Sequence, residues 1–124
     1  MKNVLILFAV LLTVISCKKE GDIELSNSDV VGRWNVTEMT ENGETTELPL
    51  GAIVVNLSSD NSYSVNFLGN SYIGTYTIEE STVIGVTLDP ITEYFEFTSL
   101  SGNKAKINYK NSVGDSYKFE AMKN

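Results

Sequence analysis

Tyr63-Ser64-Val65-Asn66-Phe67-Leu68-Gly69-Asn70-Ser71-Tyr72-Ile73-Gly74-Thr75-Tyr76-Thr77-Ile78 carries two alternating runs joined by a turn pair. Tyr63, Val65 and Phe67 alternate with Ser64 and Asn66. Beyond the Gly69-Asn70 pair, Tyr72, Gly74, Tyr76 and Ile78 alternate with Ile73, Thr75 and Thr77. A period of two residues belongs to strands with one buried face. A Gly-Asn pair between two such runs suits a two-residue hairpin turn. The stretch therefore predicts two antiparallel strands with their aromatic residues facing one side.

The same pattern extends in both directions. Towards the N-terminus, Trp34 with Val36, and Ile53 with Val55 and Leu57, each share a face. Towards the C-terminus come Ile84, Val86 and Leu88, then Phe95 and Phe97, then Ala105, Ile107 and Tyr109, and last Tyr117, Phe119 and Ala121. No window has a helical period. Turn-forming clusters separate the runs at Asp60-Asn61-Ser62, Glu79-Glu80-Ser81, Ser101-Gly102-Asn103 and Val113-Gly114-Asp115. The longest break runs from Glu41 to Gly51, and Pro90 sits in a turn after Leu88-Asp89. Eight strands spaced about 12 residues apart imply an antiparallel barrel or sandwich. Short connections favour the meander, and closing it removes exposed edges. The expected fold is all-β, an eight-stranded antiparallel up-and-down barrel. An open β-sandwich of the same strands fits the alternation equally. Gly74 and Gly85, inside strands, are expected at bulges or sharp bends.

Residues 1–16 stand apart. Lys2 precedes an apolar run from Val4 to Ile15. That run is short of the ~20 residues needed to cross a bilayer and suits a signal peptide. Val14-Ile15-Ser16-Cys17 resembles the lipobox of bacterial lipoproteins, which implies cleavage before Cys17 and attachment of lipid to its sulfur. Cys17 is the only Cys, so an intramolecular disulfide is excluded. The implied organisation is a signal peptide at 1–16, a lipidated Cys and flexible tether at 17–28, and a barrel domain at 29–124. The protein is then held at the outer membrane by its lipid, facing the periplasm or the cell surface. Lys18-Lys19-Glu20-Gly21-Asp22 partly resembles the lysine-plus-acidic signal that sends lipoproteins to the surface in one group of Gram-negative bacteria, and an ordinary charged tether fits as well.

The chain carries 9 basic and 16 acidic residues. Losing Lys2 with residues 1–16 leaves 8 basic residues against the same 16. That balance argues against nucleic acid as a partner and against docking on anionic lipid. There is no His, so the commonest general base and metal ligand is missing. Phosphate-loop, zinc and G-x-S-x-G spacings are absent as well. Glu79-Glu80 falls in a turn, and Glu93 and Glu96 fall on opposite strand faces. No enzyme, cofactor or metal site is expected. The four glutamates Glu38, Glu41, Glu44 and Glu47 lack the dense ligand spacing of a calcium loop and read as a solvated loop.

Asp29-Val30-Val31-Gly32-Arg33-Trp34 resembles the G-x-W entry of the lipocalin and fatty-acid-binding superfamily. Gly74-Thr75-Tyr76 and the final aromatic strand ending in Lys123 resemble the small lipocalin-like lipoproteins. The resemblance implies that a short helical turn, with Asp29 as a cap, closes one end of the barrel. Gly32 allows close backbone approach there, and Trp34 plugs the base. It also implies a ligand cup, for which Tyr63, Phe67, Tyr76, Phe95, Phe97 and Tyr109 are the candidate lining. Three features depart from the pattern. No helical period follows the last strand, the T-D-Y motif is missing, and the only Arg is Arg33. Lys118 or Lys123 then takes the place of the late Arg that lipocalins stack on the Trp. Two functions follow: binding of a small hydrophobic ligand, or a filled barrel acting as an accessory subunit for an unknown protein partner. The second calls for an exposed apolar patch, with Ile73, Val83 and Tyr94 as candidates.

Overall fold

The computed structural model describes residues 23–124, so the signal peptide, Cys17 and Lys18–Asp22 lie outside the described residues. A one-turn helix, α1 (Asn27–Val30), leads into β1 (Gly32–Glu41), β2 (Glu44–Glu47), β3 (Ile53–Leu57), β4 (Ser62–Phe67) and β5 (Asn70–Glu79). The chain continues through β6 (Thr82–Thr87), β7 (Thr92–Ser101), β8 (Lys104–Asn111) and β9 (Ser116–Lys123). All pairings are antiparallel, and consecutive strands pair from β3 to β9. β1 pairs with both β3 and β9, which closes the sheet into an eight-stranded barrel and leaves no sandwich edge. β2 is the additional ninth strand, hydrogen-bonded to the far part of β1.

β2 occupies the Glu41–Gly51 stretch expected to be a loop. Asn42 and Gly43, both at positive φ, make its hairpin turn with β1. Asn-Gly is the preferred pair for such a turn. The β4–β5 turn also shifts: the two positive-φ residues are Leu68 and Gly69, while Asn70 already belongs to β5. The β-bulges lie on β1 near Thr37 and on β7 near Thr98, away from Gly74 and Gly85.

Inward residues form one continuous core from Val30 to Ala121. In β6 the orientation is the opposite of the expected one. Val83, Gly85 and Thr87 point inward, while Ile84 is half-buried and Val86 and Leu88 are exposed. A one-residue change of register moves a whole strand face. Here the interior needs Gly85, because a Cβ at that position would lie 2.5 Å from the Tyr63 ring. Val83 is therefore core and takes no part in a surface patch. The outer face carries Ser64, Thr75, Thr77, Lys106, Lys118 and Glu120, all half-buried or exposed. Apolar inside and polar outside is the reverse of a membrane-spanning barrel. Among the described residues, no helix is long and apolar enough to cross a membrane.

Candidate functional site

The two ends of the barrel differ. At one end α1 lies across the opening. Its Asp29 side chain accepts the Ser26 N–H at 2.9 Å, so Asp29 caps the turn from its third position. Val30 is fully buried, and its carbonyl accepts the Trp34 indole N–H at 2.8 Å. Trp34 meets Phe97 edge-on, with ring centroids 5.6 Å apart. Lys123 lies 5.4 Å over the Trp34 ring and donates to the Asp29 carbonyl at 3.0 Å. Of the two lysines considered, Lys118 and Lys123, it is Lys123 that lies over the tryptophan. Gly32 has φ +143°, and a Cβ there would press on the Lys123 side chain, so both its conformation and its space require glycine. The Leu25 N–H bonds to the Glu80 carbonyl, so the segment expected to be tether as far as Ser28 is joined to the barrel from Leu25 onward.

The candidate cup residues fall at different depths. Tyr76 and Phe97 belong to this closed base. The Tyr76 hydroxyl donates to the Ser58 carbonyl at 2.6 Å and lies 2.9 Å from Asn27 Oδ1. Tyr63 links the two levels, meeting Tyr76 edge-on at 6.5 Å and Phe95 at 6.5 Å, and Phe95, Tyr109 and Phe67 continue towards the open half. Together with Tyr117 and Phe119 they form a run of aromatic contacts with centroids 5.2–6.5 Å apart. Phe67, Tyr72 and Tyr117 are half-buried and form the mouth. A void of about 10 Å³ remains inside, bordered by Trp34, Val55, Phe95 and Phe119. A void that size holds at most a single water, whereas small-ligand pockets run to roughly 300–1,000 Å³.

One polar group sits within the aromatic interior. Glu93 is 2 % exposed, and its two oxygens accept the Tyr63 hydroxyl at 2.7 Å and the Tyr109 hydroxyl at 2.6 Å. Asn111 supports Tyr109 with an amide N–H at 3.1 Å. Burial, then the hydrogen bond and charge of Glu93, push the ionisation of both tyrosines far above the ordinary range. These hydroxyls therefore stay protonated as donors, and three strands, β4, β7 and β8, are tied across the interior. Both carboxylate oxygens already have partners, so the group is arranged as a knot rather than a free acid or base. Among the described residues no buried side-chain polar atom lacks a partner, and no group of acidic residues is placed to hold a metal.

Outside the barrel, a shallow hollow of about 550 Å³ lies over β1, β7, β8 and β9. Glu38, Glu96 and Glu120 border it with Lys106 and Lys118. Tyr94 faces outward, half-buried, with Lys110 at 5.4 Å from its ring, and Ile73 is exposed.

No protein-family model matches the chain, and no curated protein matches it. Among solved structures it is similar to an uncharacterized protein from Bacteroides eggerthii DSM 20697. The likeness has a TM-score of 0.61 at 14 % identity, over 77 % of this chain and 100 % of that one. It shows the fold alone, and the class of protein defined here is a small, closed antiparallel β-barrel with a helix-capped end and a filled interior.

Proposed function

We propose that this chain is a non-enzymatic, lipid-anchored envelope protein whose barrel serves as an interaction module, an accessory subunit that presents a rigid surface to a protein partner. The observation that carries this reading is the filled interior: a void of about 10 Å³ where a cargo-binding barrel needs tens of times more space. The anchor rests on the lipobox-like Val14–Cys17 and the short apolar run before it. Binding of a small hydrophobic ligand is the second reading. It is supported by the half-buried mouth residues Phe67, Tyr72 and Tyr117, which would have to swing aside to admit a guest.

Titrating the full chain with an environment-sensitive apolar dye, while following Trp34 emission, tests the choice. The filled barrel predicts no saturable binding by cooperatively folded protein. Stoichiometric binding competed by fatty acids would restore the ligand reading. Labelling cells with a fatty-acid analogue tests the anchor separately, and Cys17→Ala is expected to abolish incorporation.

A further inference from the structure

Seven large apolar residues are exposed among the described residues, and they are not scattered. Leu50, Leu68, Leu88 and Val113, each more than half exposed, occupy the β2–β3, β4–β5, β6–β7 and β8–β9 connections. These four connections all lie at the open end of the barrel. Ile73 and Val86 follow just below the rim, on adjacent strands, and only Met122 lies elsewhere. The connections at the other end, Ser58–Asn61, Glu79–Thr82 and Ser101–Lys104, contain no large apolar residue. Single exposed apolar residues are ordinary. One at the tip of each of four successive loops on the same end is a patterned surface.

The rim is held as a unit. The Leu68 N–H bonds to the Ala52 carbonyl, Leu88 to Ile73, and Ser112 to Thr92, so neighbouring connections are tied to each other's strands. Around the aliphatic tips stand Glu41, Glu44 and Glu47 on the β1–β2 hairpin and Asp89 and Asp115 in the connections, five acids against Lys110 near the end of β8, which lies over the Tyr94 ring on the outer face. That charge decides between occupants. Two copies meeting rim to rim would oppose acid to acid, and an anionic lipid surface would be repelled. The lipid-bearing end also enters at the opposite side, where Leu25 is bound to Glu80.

We infer that the open rim is the docking face of the module, and that its occupant is a partner protein with an apolar patch bordered by Lys and Arg. This rests on the interaction-module reading above and gives it a place. Acidic groups around an apolar centre steer a basic partner and fix its orientation, while the aliphatic tips supply the buried contact.

The test places a photoreactive amino acid in the full-length chain, in the native bacterium, at Leu50, Leu68, Leu88 or Val113. Control positions are Ser59 and Asn103 at the closed end and Thr98 on the outer hollow. All seven lie outside the core, and Trp34 emission checks that each variant is folded. The expected result is one discrete protein adduct at the rim positions, in about tenfold excess over the controls. The crosslinked peptide should map to an apolar surface flanked by Lys or Arg, and Asp89→Lys with Asp115→Lys should lower the yield several-fold. Adducts with a second copy or with phospholipid would overturn the assignment to a basic partner protein. Adducts at control positions alone would overturn the rim while leaving the interaction module standing. No adduct at any position would overturn both.

Discussion

At the closed end of this barrel a tryptophan is 1 % exposed, a lysine lies over its ring, and a one-turn helix seals the opening. At the open end, leucines as much as 80 % exposed stand on loops bordered by Asp89, Asp115 and the glutamates of the β1–β2 hairpin. The same chain thus satisfies every group at one end and leaves apolar groups in water at the other. The difference shows where burial ends: the apolar surface that the core does not use is gathered at one end. The closed end and interior supply stability, while the rim adds little to it and remains available for contact.

Trp34→Ala tests the first half of that contrast with the largest effect. It removes a buried ring and the hydrogen bond to Val30, and should cost about 3–5 kcal/mol. Chemical denaturation followed by circular dichroism reads this, because the variant has lost its only Trp. Glu93→Ala comes next. It leaves two buried hydroxyls without their acceptor and opens space among aromatics, for a loss of about 2–4 kcal/mol. If Glu93 instead served a mobile ligand and not the fold, the midpoint would scarcely move.

Alkaline pH acts on the same knot. The native state holds Tyr63 and Tyr109 protonated above their ordinary value near 10, whereas the unfolded chain releases those protons. Above about pH 10 the native state therefore binds more protons, and stability falls as pH rises, by at most about 1.4 kcal/mol per pH unit for each tyrosine. The contribution is fully present below that pH. Denaturation midpoints from about pH 9 to about pH 11.5 should show the fall, with a shallower slope in Tyr63→Phe and Tyr109→Phe. The smallest effect belongs to the rim. Leu88→Asp and Val113→Asp should change stability by no more than about 0.5 kcal/mol, and a larger loss would mean that the tips are packed.

Much of this was legible in the sequence. Alternation located the eight barrel strands, and the G-x-W segment pointed to the closed base, while the choice between Lys118 and Lys123 over Trp34 needed the structure. β2 was readable too, since Asn42-Gly43 is a strong hairpin signal, but the glutamates around it obscured the strand. Glu38 faces Glu47 and Glu41 faces Glu44 across the hairpin, pairings that charge alone disfavours. In β6 the apolar alternation Ile84, Val86, Leu88 is genuine but points outward. The Tyr63 ring passing over Gly85, a contact between residues far apart in sequence, leaves no room for a side chain there and fits the observed register. Glu93 shares its parity with Phe95 and Phe97, so its inward position followed from alternation. That it would be satisfied by two tyrosines from β4 and β8 did not. The aliphatic rim is harder to read, because its members lie far apart in sequence and come to one end only through the alternating strand directions of the meander.

A filled barrel whose exposed apolar surface lies at the rim offers a small apolar molecule nothing inside. Methyl-labelled protein titrated with a medium-chain fatty acid and followed by NMR tests it most directly. Weak, non-saturating shifts are expected at Leu50, Leu68, Leu88 and Val113, and none at Val36, Val55, Leu57 or Ile107. Saturable shifts at those interior methyl groups would contradict the filled barrel and show a cup that opens.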